Sequence, residues 1–76
     1  MRLSELKKGE EAVIIKIESA GELKRRLHDF GVNSGETIKF QRNAPLGDPQ
    51  QYYIKGNNVA IRKVDAENIL VEKSSK

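Results

Sequence analysis

Few side chains in this 76-residue sequence can make or break bonds, and none is spaced for it. The single histidine, His28, stands beside Asp29. Neighbours in sequence diverge around a helix, so the pair cannot form the base and orienting carboxylate that general acid–base catalysis needs. His28 reads as a solvated imidazole. Asp29, Glu36 and Asp48 are scattered through helix, turn and loop rather than clustered at metal-ligand spacing, so they read as turn-forming or surface carboxylates. The sequence has no cysteine, which removes thiolate ligands, thiol nucleophiles and disulfides together. Gly31 and Gly35 lack the lysine and flanking glycines of a phosphate loop. The expectation is a protein that is not an enzyme, with no cofactor and no metal site.

What remains is recognition. Lys and Arg number 14 against 11 Asp and Glu, a net charge of +3, a bias that suits an acidic protein surface, anionic lipid or nucleic acid. Lys24-Arg25-Arg26, Arg42, Arg62 and Lys63 supply candidate basic patches. Base stacking asks for several exposed rings. Of Phe30, Phe40, Tyr52 and Tyr53, the pattern sends both phenylalanines and one tyrosine inward, so nucleic-acid binding by a small basic barrel stands as an alternative only. The other recognition candidate is the run Ala44-Pro45-Leu46-Gly47-Asp48-Pro49 after Arg42. Each proline fixes its own φ and restricts the residue before it, so this loop is stiff. Leu46 at its centre is read either as a plug over the core or as a knob offered to a partner. Arg42, Ala44, Pro45, Leu46, Gly47, Asp48 and Pro49, with Arg25 and Arg26, are the expected partner-contact residues.

The elements that position them follow from periodicity. Leu3 and Leu6, ahead of Gly9, suit a single helical turn laid on the core. Residues 11 to 18 alternate as a strand, with Ile15 and Ile17 on the inward face. Ser19 three residues before Glu22 has the spacing of a capping box. Leu23, Leu27 and Phe30 form one helical stripe, ended by Gly31. Residues 36 to 42 read as a strand with Ile38 and Phe40 inward, and 50 to 55 as another with Tyr52 and Ile54 inward. Gly56-Asn57-Asn58 is a tight connector into a strand over 59 to 63, with Val59 and Ile61 inward. Asp65 to Asn68 allows a helical turn before a last strand holding Ile69 and Val71. The sum is a mainly β fold: a small five-stranded barrel, closed so that few edges stay exposed, with one amphipathic helix inserted after the first strand.

The order RL-x-x-FG-x-x-x-G from Arg26 to Gly35, then R-x-APLGDP from Arg42 to Pro49, then IRK-x-DA-x-x-I-x-V from Ile61 to Val71, resembles the FeoA family of bacterial ferrous-iron uptake. The likeness runs from about Leu3 to Val71. It implies an SH3-like barrel and a cytosolic accessory or regulatory role, exercised by contact with a FeoB-type membrane ferrous-iron transporter whose cytosolic part binds GTP. Ser34 stands where the family commonly has proline, Asp65 where it has glutamate, and Gln50-Gln51-Tyr52-Tyr53 is more polar than usual. The C-terminal domain of DtxR-type repressors is similar too. With no DNA-reading segment ahead of Met1, this sequence would act in that manner only in trans. Self-association through an exposed strand is left open.

A chain this short supports one domain, expected over residues 1–73 with 74–76 as a flexible tail. No apolar run approaches the roughly 20 residues that cross a bilayer, and the first residues lack the apolar stretch of a secretory signal. The expected compartment is the cytosol.

Overall fold

A computed structural model describes residues 1–74. The expected strands form as β1 (Glu11–Ile17), β2 (Thr37–Asn43), β3 (Gln50–Ile54), β4 (Asn57–Ile61) and β5 (Ile69–Lys73), with helix α1 (Gly21–Asp29) after β1 and a one-turn helix α2 (Lys63–Ala66) before β5. All pairings are antiparallel and the sheet order is β4-β3-β2-β1-β5. The expected closure does not occur: among the described residues β4 and β5 do not pair, so the curved sheet keeps two edges. A 3₁₀ turn, Leu3–Glu5, buries Leu3 completely and Leu6 nearly so, as the leucine spacing predicts. The expected tail falls largely outside the described residues. Ser74, the last of them, still donates its amide to the Glu11 carbonyl at 3.0 Å.

Two bulges decide which side chains face inward. On β1, Ile14 pairs with Val71 and Lys16 with Leu70, leaving Ile15 as the extra residue. An extra residue flips the alternation. Ala12, Ile14 and Ile17 are therefore buried, while Ile15 is 49% exposed, a correction to the inward face expected for it. The Ser34 hydroxyl donates to the bulged Ile15 carbonyl at 2.9 Å, which satisfies a group the ladder leaves out. On β2, Phe40 pairs with Tyr52 and Arg42 with Gln51, so Gln41 is the bulge and Arg42 is turned outward, away from the side Phe40 occupies.

The end of α1 shows the same logic of local backbone chemistry. Gly31 has φ +90°. Its amide donates to the His28 carbonyl at 3.0 Å, and the Val32 amide donates to the Leu27 carbonyl at 2.9 Å, the paired bonds of a Schellman motif. The chain reverses so sharply that Val32, fully buried, packs inward with Leu27. Phe30, placed on the buried stripe by its spacing, instead lies 53% exposed. At the other end the expected cap is also displaced. Ala20 is the N-cap and has no side-chain bond to offer, while the Ser19 hydroxyl is buried without a partner among the described residues.

The core is otherwise as read: Ile38, Phe40, Tyr52, Ile54, Val59, Ile61, Ile69 and Val71 are all buried, with the Phe40 and Tyr52 rings tilted at 5.3 Å between centroids. The polar start of β3 turns inward. Gln50 is buried, accepts the Tyr52 hydroxyl at 2.7 Å and donates to Asn43 at 3.2 Å. Burial pushes the Tyr52 phenol well above its ordinary value, so it stays a donor. The β3–β4 hairpin turns on Lys55-Gly56, both with positive φ, so the turn lies earlier than the Gly56-Asn57-Asn58 connector expected and Asn57 already pairs with Ile54.

Candidate functional site

The Ala44–Pro49 loop joins β2 to β3 and is fastened at three points. The Ala44 amide donates to the Pro49 carbonyl at 3.1 Å, and the Gly47 amide donates to the Ala44 carbonyl at 2.8 Å. Gly47 has φ +91°, a conformation that excludes most side chains at that corner. Asp48 Oδ1 accepts the Lys63 amide at 2.9 Å and so ties the loop to the first residue of α2. On this fastened support Leu46 is 94% exposed. It is not a plug. A large apolar side chain almost wholly in water, on backbone that has already lost its freedom, can dock at little further entropic cost.

The expected contact residues are only partly brought together. Arg26 and Pro49 line one groove of about 280 Å³ between α1 and β4, together with Leu23, Phe30, Ala60 and Arg62. Arg42 lies across the sheet, where its Nε donates to Gln51 Oε1 at 3.0 Å beside a second hollow of about 320 Å³. Arg25 is exposed on α1 and lines neither. Sequence reasoning missed Phe30, Ala60 and Arg62 as groove walls. Gly31, read as a helix stop, carries the signal for Phe30, because a Schellman turn buries the residue after the glycine.

The candidate chemical groups have structural duties or none. Asp48 caps α2, and Glu36 pairs with Lys55 Nζ at 3.0 Å. The exposed His28 hydrogen-bonds the side chain of Asn33. Among the described residues no group of His, Cys, Asp or Glu is arranged to hold a metal ion, and no helix is long and apolar enough to cross a membrane. Two rings are partly exposed, Tyr53 at 41% and the unexpected Phe30.

Known proteins share this fold. The family model for the FeoA domain matches residues 1–73. An Fe(2+) transport protein A/Fe(2+) transporter FeoB fusion protein of Porphyromonas gingivalis is 44% identical over 72 residues, which is 95% of this chain and 8% of that protein. The solution structure of FeoA from Chlorobium tepidum superposes with a TM-score of 0.92 at 37% identity, covering 99% of this chain and 71% of that one. FeoA of Stenotrophomonas maltophilia, a procaryotic SH3 domain protein complexed with zinc, gives 0.82 at 26% identity over 95% of this chain and 89% of its own. The family model thus covers nearly the whole chain, solved FeoA structures share its five-stranded SH3-like fold with the inserted helix, and this chain belongs to the FeoA family.

Proposed function

We propose that this protein is a cytosolic accessory component of ferrous-iron uptake that acts by direct contact with a FeoB-type GTPase-permease through its Ala44–Pro49 loop. The observation that carries the reading is Leu46, 94% exposed on a loop fastened at three points. The FeoA–FeoB fusion in Porphyromonas gingivalis supports the choice of partner, since there the two are one polypeptide. Leu46 enters an apolar recess of the transporter's cytosolic part, and the prolines hold it in docking geometry beforehand. Arg26, which shares a groove with Pro49, lies at the rim, and Arg25 and Arg42, exposed farther off, add to the positive field, where such charges steer encounter more than they hold the complex. The contact regulates or assembles the transporter, because the chain has neither a phosphate loop nor a metal-ligand cluster of its own among the described residues. Titrating this protein onto a purified FeoB-type transporter in lipid nanodiscs tests the reading. Saturable one-to-one binding that a Leu46→Glu variant abolishes is expected. Equal binding by that variant would remove the loop from the contact, and no binding at all would remove the function.

A further inference from the structure

The outer edge of β4 is free among the described residues. Ile54 and Asn57 flank the two-residue turn and so form a hydrogen-bonded pair. Hydrogen-bonded pairs alternate along an antiparallel ladder, so Asn57, Val59 and Ile61 spend their backbone groups on β3, while those of Asn58 and Ala60 point away from the sheet. No other strand and no turn or loop bond takes up Asn58 or Ala60 among the described residues. Proteins ordinarily cover or blunt such an edge. Here it carries neither proline nor an inward-pointing charge, and a hollow flanks it on each side, with Ala60 lining both.

We infer that the β4 edge binds an extended acidic segment of a partner protein by strand addition, its alternate side chains entering the two hollows. A strand laid against β4 places residues opposite Val59 and Ile61 toward α1, over Leu23 and the exposed face of Phe30. Residues opposite Asn58 and Ala60 turn to the outer side, beside Gln41 and Arg42. The first set is therefore apolar. The charge preference of the segment as a whole follows from its surroundings: Arg42 on the outer side and Arg26 and Arg62 along the inner groove are exposed and in no ion pair among the described residues, against the single carboxylate of Asp65. A second copy of this chain fits badly. Two-fold pairing of β4 about Val59 brings Arg62 and Lys63, just beyond the strand's end, toward the Lys55-Gly56 turn of the other copy, basic residues near basic. Leu46 itself lines neither hollow, so strand addition at β4 does not require the loop to dock.

The test uses a short blocked peptide alternating valine and glutamate, read by amide chemical shifts and by anisotropy of the labelled peptide. Saturable binding is expected, with the largest shifts at Asn58 and Ala60 and slowed exchange of both amides. N-methylating the peptide at its pairing positions should weaken binding about tenfold or more, as should replacing glutamate by lysine. Ala60→Pro removes one outward amide at a place where proline is tolerated in a strand, so it should keep the fold and lose the peptide. Because the methylated peptide acts on unaltered protein, the result does not hang on how that variant folds. Failure to bind, binding that ignores methylation, shifts centred away from β4, or concentration-dependent dimerisation that shields Ala60 would each overturn the inference.

Discussion

The two edges of the sheet meet opposite fates. At β5 the chain folds back on itself: Met1 exchanges two bonds with Val71, its ammonium donating to the Val71 carbonyl at 3.1 Å and its carbonyl accepting the Val71 amide at 2.8 Å. Arg2 bridges to Leu70, and Leu3 is driven wholly into the core beside it. Among the described residues nothing comparable arrives at β4, and both grooves and the exposed Phe30 lie along that edge. One half of the molecule uses its backbone and apolar groups to stay folded. At the β4 edge the outward backbone groups of Asn58 and Ala60 are left unpaired among the described residues. A chain of this length has little stability to spare, and the proposed recognition features sit where they cost the core nothing.

Removing the cover from β5 should have the largest effect. Leu3→Ala empties a fully buried site and loosens the segment that seals the edge, at a cost of about 2–5 kcal/mol in urea unfolding. Transporter binding by the folded fraction should be unchanged. A loss below about 1 kcal/mol would mean that the β5 edge is not sealed by its neighbour in the way described.

A smaller effect is expected at the boundary between the halves. Alanine at Gly31 has room, since its Cβ would lie 3.6 Å from Ile54 Cγ2 and 3.7 Å from Lys55 Cδ, ordinary contacts. The penalty is the φ of +90°, about 1–2 kcal/mol. Because the same turn sets Phe30, Gly31→Ala should lower the thermal midpoint and also weaken peptide capture at β4. If the two effects separate, Phe30 is not positioned by that turn.

The pH dependence at the β1–β5 side should be smaller again. Lys73 Nζ lies 2.6 Å from Glu10, and the Lys7 amide donates to the same carboxylate at 2.7 Å. The Lys73 hydrogen bond, then the Lys7 amide, hold the Glu10 carboxyl below its ordinary value of 4.5. A depressed carboxyl stabilises the fold above that ordinary value and ceases to as pH falls through the lowered one. Glu10→Gln should therefore melt slightly below the unaltered protein at neutral pH, and the difference should vanish in acid. A difference that persisted or grew in acid would contradict the assignment.

How far the sequence discloses this division depends on the range of the interactions. Inward faces of β2 to β5 are legible from alternation alone, because no bulge intervenes at Ile38, Phe40, Tyr52, Ile54, Val59, Ile61, Ile69 or Val71. Ile15 is misplaced by alternation because one inserted residue inverts everything before it, and the insertion is visible only against the register of β5. Phe30 is misplaced because helical periodicity was carried one residue into a turn that Gly31 had already begun. The loop and its stiffness are local proline and glycine chemistry, hence readable. That Asp48 fastens it to α2 is a contact across 15 residues, and that β4 stays unpaired is a property of the whole sheet. Neither is written in any short window.

The division rests most directly on Leu46, where the effect on stability should be smallest and that on recognition largest. Leu46→Ala should leave the thermal midpoint almost unmoved, since the side chain is 94% exposed, and should weaken binding to a FeoB-type transporter by about 1–3 kcal/mol, the scale of burying a leucine. Both quantities are to be measured on the one variant. An unchanged midpoint with lost affinity is the predicted result. A lowered midpoint with affinity intact would contradict it, returning Leu46 to the fold and leaving the open half without its contact residue.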